Sequence, residues 1–429
     1  MSASETTPLI TNGNSNHLSL PQRAVAFVKA EGEPTFLQSF KWFFFGSWLN
    51  ILLIFVPFSL VAHLLNWDAA LRFSFSFIAI VPLAKLLGEA TEQMSIKLGQ
   101  TLAGLLNATF GNAVEIIVGL SALLQGQIQI VQTSMLGSIL SNILLVLGCS
   151  FFAGGLYYPE STFQVTAAQA SASLMTLACI TMIIPAAYHS ARTSLVPSSP
   201  IDPSKFVVTF TDSAFTDLDE KGQAGLLIIS RGTALLLLGV YIAYLLFQLK
   251  THSNLFQPEL QVDERGHVIL EENEEQKMSI FAAAVALISI TVVTSFVADF
   301  LVASIEETAD RYHIPKPFIG LILLPLVANA AEHVTSVWMA MKNKMELTIG
   351  ICVGSSIQIA TFVVPLLVIV GWVSGHELTL FFSNFETVAF FVSVLLVNLL
   401  IQDGRSNYME GLMLITLYLV IALAFWVSE

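Results

Sequence analysis

Gly111-Asn112-Ala113-Val114-Glu115 and Ala328-Asn329-Ala330-Ala331-Glu332 stand 217 residues apart, and each sets an amide three residues before a carboxylate inside an apolar run. The register extends beyond them. At the same offset Gly137-Ser138 falls on Gly354-Ser355, and Gln169 falls on Glu386. Hydrophobic composition alone scatters polar positions freely, so three landmarks held in one register mark an internal repeat.

Outward from these stretches the chain is written for lipid. Of 429 residues, 55% are hydrophobic and 11% charged, where a soluble domain carries about 25% charged residues. A spanning helix needs about 20 mostly apolar residues. Such runs follow at 46–65, 70–96, 102–124, 131–154, 165–188, 226–249, 279–304, 317–341, 346–372, 383–402 and 407–427. The expected class is an all-α polytopic membrane protein of about eleven transmembrane helices, with no separate globular domain. Its expected plan is a polar N-terminal segment (1–40), a first transmembrane helix (41–66), a first five-helix repeat (67–250), an acidic linker (251–278) and a second five-helix repeat (279–429). An odd number of spans per repeat inverts the second copy, so the two five-helix repeats meet across a pseudo-two-fold axis with the site between them.

Charge and cysteine usage exclude other classes. The net charge of −13 resides mainly in polar segments and termini and is no nucleic-acid signal. Cys149, Cys179 and Cys352 fall inside spans without metal-ligand spacing, which argues against a disulfide framework. Residues 1–35 do not read as a signal peptide, and Glu5-Thr6-Thr7-Pro8-Leu9-Ile10 has the form of an acidic dileucine sorting signal. Under the eleven-span topology ten Lys and Arg residues, among them Lys97, Lys342 and Arg405, share one side. Seven, among them Arg72, Arg311 and Lys316, share the other. That bias predicts a cytosolic N-terminus and acidic segment, and a C-terminus on the far side.

A carboxylate at the bilayer centre costs at least about 2.5 kcal/mol on insertion scales, and a bound cation compensates for it. Asn112 with Glu115, and Asn329 with Glu332, each share a helix face. Ser138 with Ser141, and Ser355 with Gln358, repeat that spacing on the next span and add neutral oxygens. The candidate ligand set is therefore Glu115, Glu332, Asn112, Asn329, Ser138, Ser355 and Gln358. It holds oxygen only, which suits calcium, a hard ion taking six to eight oxygens, with manganese the second choice; zinc or copper would call for His or Cys. The metal is a transported substrate here, and no cofactor is implied. Gly111, Gly137, Gly354 and Pro325 are expected to interrupt their helices and free carbonyls. Two carboxylates in one empty low-dielectric site repel each other, so protons can replace the departing metal, which is the core of an antiport cycle.

Other polar residues have two readings. Glu89 and Glu92 on the second span, and Glu306 and Glu307 on the seventh, are either ion entrances on opposite faces or solvated helix ends. Lys85 is placed to pair with Glu89 at i,i+4 or to snorkel. His333 faces about 100° away from Glu332 and reads as a packing histidine or a proton sensor. Glu386, the repeat mate of Gln169, joins the candidate proton and ion pathway. The acidic segment is a solvated linker or a calcium-responsive regulator.

Ala90-Thr91-Glu92, Asn107-Ala108-Thr109-Phe110-Gly111-Asn112-Ala113-Val114-Glu115 and Ser134-Met135-Leu136-Gly137-Ser138 carry a resemblance to a known family. So do Ala328-Asn329-Ala330-Ala331-Glu332-His333, Gly354-Ser355-Ser356 and Phe385-Glu386-Thr387. Over nearly all of 40–427 the chain resembles the CAX cation/proton exchangers of the calcium/cation antiporter superfamily, specifically the fungal vacuolar calcium/proton exchangers. The resemblance implies eleven spans, an acidic helix after the sixth, Glu115 and Glu332 as the central cation site, Gln358 nearby and Glu92 on the ion path. It also implies exchange of cytosolic calcium for luminal protons at the vacuolar membrane. Two positions depart from the family: Ala328 replaces a glycine, and Lys85 stands where a small or apolar residue is expected. The rival readings are a sodium-coupled exchanger of the same superfamily and a metal-gated cation channel. An intramembrane enzyme would need a nucleophile or metal triad beside the glutamates, and the sequence offers neither.

Overall fold

In lipid a backbone must satisfy its own hydrogen bonds, so apolar runs of this length have helix as their only open form. The computed structural model describes residues 34–96, 98–193, 220–252 and 276–427. The dileucine pattern, Lys97 and nearly all of the acidic linker lie outside the described residues.

Helix α1 (Phe36–Phe45) begins with a capping box, in which the Gln38 N–H donates to Thr35 Oγ1 and the Thr35 N–H donates to Gln38 Oε1. The chain then turns through 87° into α2 (Trp48–Leu64). Asn50 Nδ2 donates to the Phe43 and Phe44 carbonyls at 2.9 and 3.0 Å, satisfying the end of α1 at the bend. Next come α3 (Ala69–Ser95), α4 (Gly99–Phe110), α5 (Ala113–Leu124), α6 (Ile128–Tyr157), α7 (Val165–Thr193), α8 (Gly222–Thr251) and α9 (Ile280–Tyr312). The order closes with α10 (Lys316–Ala328), α11 (Ala330–Met341), α12 (Met345–Ser374), α13 (Asn384–Leu400) and α14 (Tyr408–Val427). Among the described residues the β-structure is one two-residue ladder, Ser161 and Thr162 against Ser406 and Arg405, which ties the loop after α6 to the loop after α13.

Seven described helices are long and apolar enough to cross a membrane, or nine if the bent pairs α1/α2 and α10/α11 each count as one span; α5 and α13 are shorter apolar helices. The fold class is therefore an all-α polytopic membrane protein. Its interior is built on α6 and α12, each with 67% of its apolar window buried, against 28% for α8 and α14. The long helices α3 and α9 pack against each other, α9 also against α5 and α3 also against α10 and α11.

Breaks in the helices fall only partly where the glycines suggested. Gly111 does mark one, between α4 and α5. Ala328 does not prevent the other: α10 and α11 meet at 58°, with Asn329 at φ −85°, ψ 8°. By contrast α6 and α12 stay helical through Gly137 and Gly354, and the backbone instead widens into π-type turns just beyond, at Ser141–Val146 and Ile359–Val363. Gly137 serves contact rather than interruption, since a Cβ there would lie 2.2 Å from the Leu321 carbonyl oxygen on α10.

Candidate cation site at the helix breaks

Asn112 and Asn329 occupy the two breaks, in backbone conformations outside the helical region, and neither side chain caps the helix that follows. Both amides are thereby released toward the interior. Glu115 and Glu332 sit in the first turns of α5 and α11, where unpaired N–H groups and the positive helix end favour negative charge. The sequence thus aims two half-helices, each with an amide and a carboxylate, at one place.

The Asn112 amide joins a continuous network across α6 and α12. Asn112 Nδ2 donates to Gln358 Oε1 at 2.5 Å, Ser355 Oγ donates to Asn112 Oδ1 at 2.8 Å, and Asn142 Nδ2 donates to Ser355 Oγ at 3.0 Å. The second half is wired differently: Asn329 Nδ2 donates to the Ser138 carbonyl at 3.2 Å. The Ser355 and Asn142 side chains flank the Glu332 carboxyl, and Glu115 and Glu332 are near enough to act on each other through charge.

Three buried oxygens here, Asn142 Oδ1, Asn329 Oδ1 and Glu332 Oε2, have no hydrogen-bond partner. A buried acceptor without a donor costs about 1–3 kcal/mol, and all three are of the kind a hard cation draws in. Among the described residues no three His, Cys, Asp or Glu side chains gather into a metal cage. The centre is instead two carboxylates among amides and hydroxyls. Asn142 is the ligand candidate that sequence reasoning missed. Its repeat mate is Ile359, so no paired signal marks it.

The carboxylates are reached from one side. A cleft of about 390 Å³ is lined by Lys85, Glu89, Glu92, Glu115, Glu332 and Thr335, among others. On the opposite side of Glu115 the space shrinks to about 10 Å³ between Ile80, Val118, Leu301 and Val327, about the volume one water centre needs. The repeat offset relates the two: Ala84, Phe110 and Thr335 of the cleft have Leu301, Val327 and Val118 of the sealed half as mates.

The other expected pathway residues divide. Glu89 and Glu92 line the cleft, whereas His333 is not among its walls. Glu306 pairs with Lys316 at 3.0 Å, and Glu307 pairs with Arg72, at the end of α9 away from the cleft. Glu386 closes the capping box of α13, accepting the Ser383 N–H at 2.9 Å, and lies outside the cleft lining. Asp299, absent from the sequence-based set, accepts a hydrogen bond from Ser121 within the span of α9.

Comparison with known proteins identifies the family. The family model described as "Sodium/calcium exchanger protein" matches residues 69–250 and 282–427. The vacuolar calcium ion transporter of Schizosaccharomyces pombe is 42% identical, over 89% of this chain and 85% of that one. Vacuolar cation/proton exchanger 3 of Oryza sativa subsp. japonica is 39% identical, over 91% and 88%. The crystal structure of the selenium-substituted Ca2+/H+ antiporter protein YfkE matches with a TM-score of 0.68 at 31% identity, covering 89% of this chain and 99% of that one. On the paired helix-break carboxylates and on these matches together, the chain belongs to the sodium/calcium exchanger protein family.

Proposed function

We propose that this protein is a secondary active transporter exchanging calcium for protons by alternating access, with Glu115 and Glu332 as the shared binding groups. The observation that carries the reading is that two carboxylates, Glu115 and Glu332, line the one-sided cleft together, with Glu332 Oε2 buried and without a hydrogen-bond partner. Calcium fits that donor set, and protons are the partner that two adjacent carboxylates accept when the metal leaves. The relatives' names, vacuolar calcium ion transporter and vacuolar cation/proton exchanger, agree with it. They also support a multi-pass protein of the vacuolar membrane.

Eleven spans, as one extra helix followed by two inverted five-helix repeats over 67–250 and 279–429, is the architecture that best accounts for the site. It is supported by Ser356 Oγ, which lies 3.5 Å from the Ile139 carbonyl at a separation of 217 residues. Residues related by the repeat touch each other only near a pseudo-two-fold axis. In this reading the open cleft is the cytosolic half-path and the sealed apolar half is the luminal one, with the N-terminus cytosolic and the C-terminus luminal. Asn112, Asn329, Ser138, Ser355 and Gln358 complete the cation shell together with Asn142. Glu89 and Glu92 draw cations in, and Glu306 and Glu307 stand at the far mouth. Neither the ring of His333 nor the capping carboxylate of Glu386 contributes to the binding centre.

Purified protein in liposomes tests the coupling. Calcium uptake should follow an inside-acid pH gradient and collapse with a protonophore. Uptake that follows an outward sodium gradient instead would identify a sodium-coupled exchanger, and uptake needing neither gradient would identify a channel.

A further inference from the structure

Among the described residues four carboxylates line the open cleft, Glu89, Glu92, Glu115 and Glu332, and Lys85 is the one basic side chain among its walls. Its ammonium pairs with Glu89 one turn along α3. Glu92 is exposed, while the Glu89 and Lys85 side chains are 24% and 17% exposed, so the three run inward from the mouth in that order. An entering cation meets this pair before it reaches Glu115 and Glu332. Helix packing does not call for the charge. At the repeat-related position of α9 stands Val302, fully buried, and there the mate of Glu89, Glu306, takes its lysine from outside the helix.

We propose that Lys85 is a tethered competing cation that holds Glu89 until a divalent ion displaces it, and so sets both the calcium threshold and the rejection of monovalent ions on this side. This rests on the exchange function proposed above. A free monovalent ion carries no more charge than the ammonium and competes with a group held at high effective concentration. Calcium brings twice the charge and makes the exchange favourable. Once released, the lysine has the length to swing its charge toward solvent along the helix.

The test measures calcium uptake by full-length protein in vesicles with the Glu89 mouth outward. In Lys85→Met the KM for calcium should fall about fivefold, the scale of repulsion between a unit charge and a divalent ion about 8 Å apart in water. Added potassium should inhibit the variant more than the wild type. Lys85→Arg should keep the wild-type KM. Lys85→Cys gives a second route: a cationic methanethiosulfonate adduct should restore the higher KM and a neutral adduct should not, which a purely packing role would not produce. An unchanged or raised KM in Lys85→Met, or equal effects of the two adducts, would overturn the proposal. Loss of proton-driven uptake in the wild type would instead overturn the exchange function beneath it.

Discussion

Gly137 and Gly354 are repeat mates, yet adding one methyl group should affect them in opposite directions. A Cβ at Gly137 would stand 2.2 Å from the Leu321 oxygen and 2.7 Å from its carbonyl carbon and Cα, all backbone atoms that no rotamer change relieves. Ordinary contact begins near 3.4 Å, so α6 and α10 must part by about 1 Å. The neighbouring bond from Asn329 Nδ2 to the Ser138 carbonyl, 3.2 Å long, would then stretch beyond hydrogen-bond range. Overpacking costs about 1–3 kcal/mol and the lost bond about 1 kcal/mol, so Gly137→Ala should destabilise by about 2–4 kcal/mol. At Gly354 nothing lies within 4 Å of the added carbon, and Gly354→Ala should gain about 0.5–1 kcal/mol of helix stability. Denaturant titration of purified protein in mixed micelles measures both. Because Asn329 loses its anchor, calcium affinity should fall in Gly137→Ala as well. Equal effects in the two variants, or a neutral Gly137→Ala, would refute the contact argument.

Two further outcomes follow from the geometry. Thr335→Cys in the cleft should react readily with a charged thiol reagent added from the cleft side, while its repeat mate, Val118→Cys in the sealed half, should react at least about tenfold more slowly; similar rates would mean the sealed half is open. Asp68, before α3, has its carboxyl held below the usual carboxylate range first by the Ala70 N–H, which outweighs the opposing effect of burial, and then by Tyr312, Arg311 and Arg72. Its contribution to stability is present above the ordinary value of 3.8 and lost as pH falls below it, so Asp68→Asn should melt earlier than wild type at pH 7, with the gap closing on acidification; a gap independent of pH would contradict this.

The sequence shows the centre of this molecule more plainly than its approaches. Glu115 and Glu332 were legible because an ionised group inside an apolar run is costly, and two of them in one register leave function as the economical explanation. Asn142 was hidden because its mate is Ile359 and the repeat pattern gives it no echo. The breaks were half visible: Gly111 marks the first, yet its own backbone is helical and the non-helical residue is Asn112, just as the second break forms at Asn329 without a glycine. Pro325 upstream removes one backbone donor, and Asn329 accepts a non-helical conformation. The 87° turn ahead of the first span was not legible, since α1 continues the same apolar composition and only the capping box at Thr35 and the Asn50 side chain define it. Glu386 matched the repeat register, yet its carboxyl caps a helix. Register alone does not distinguish a pathway residue from a cap.

The most direct test of the central claim is proton-driven calcium uptake into liposomes by wild type, Glu115→Gln and Glu332→Gln under an inside-acid gradient. Each glutamine keeps the side-chain shape but removes the carboxylate that binds calcium and proton in turn, so the account predicts uptake in the wild type and none in either variant, with all three proteins folded. Uptake surviving either substitution would contradict a shared site formed by the two carboxylates.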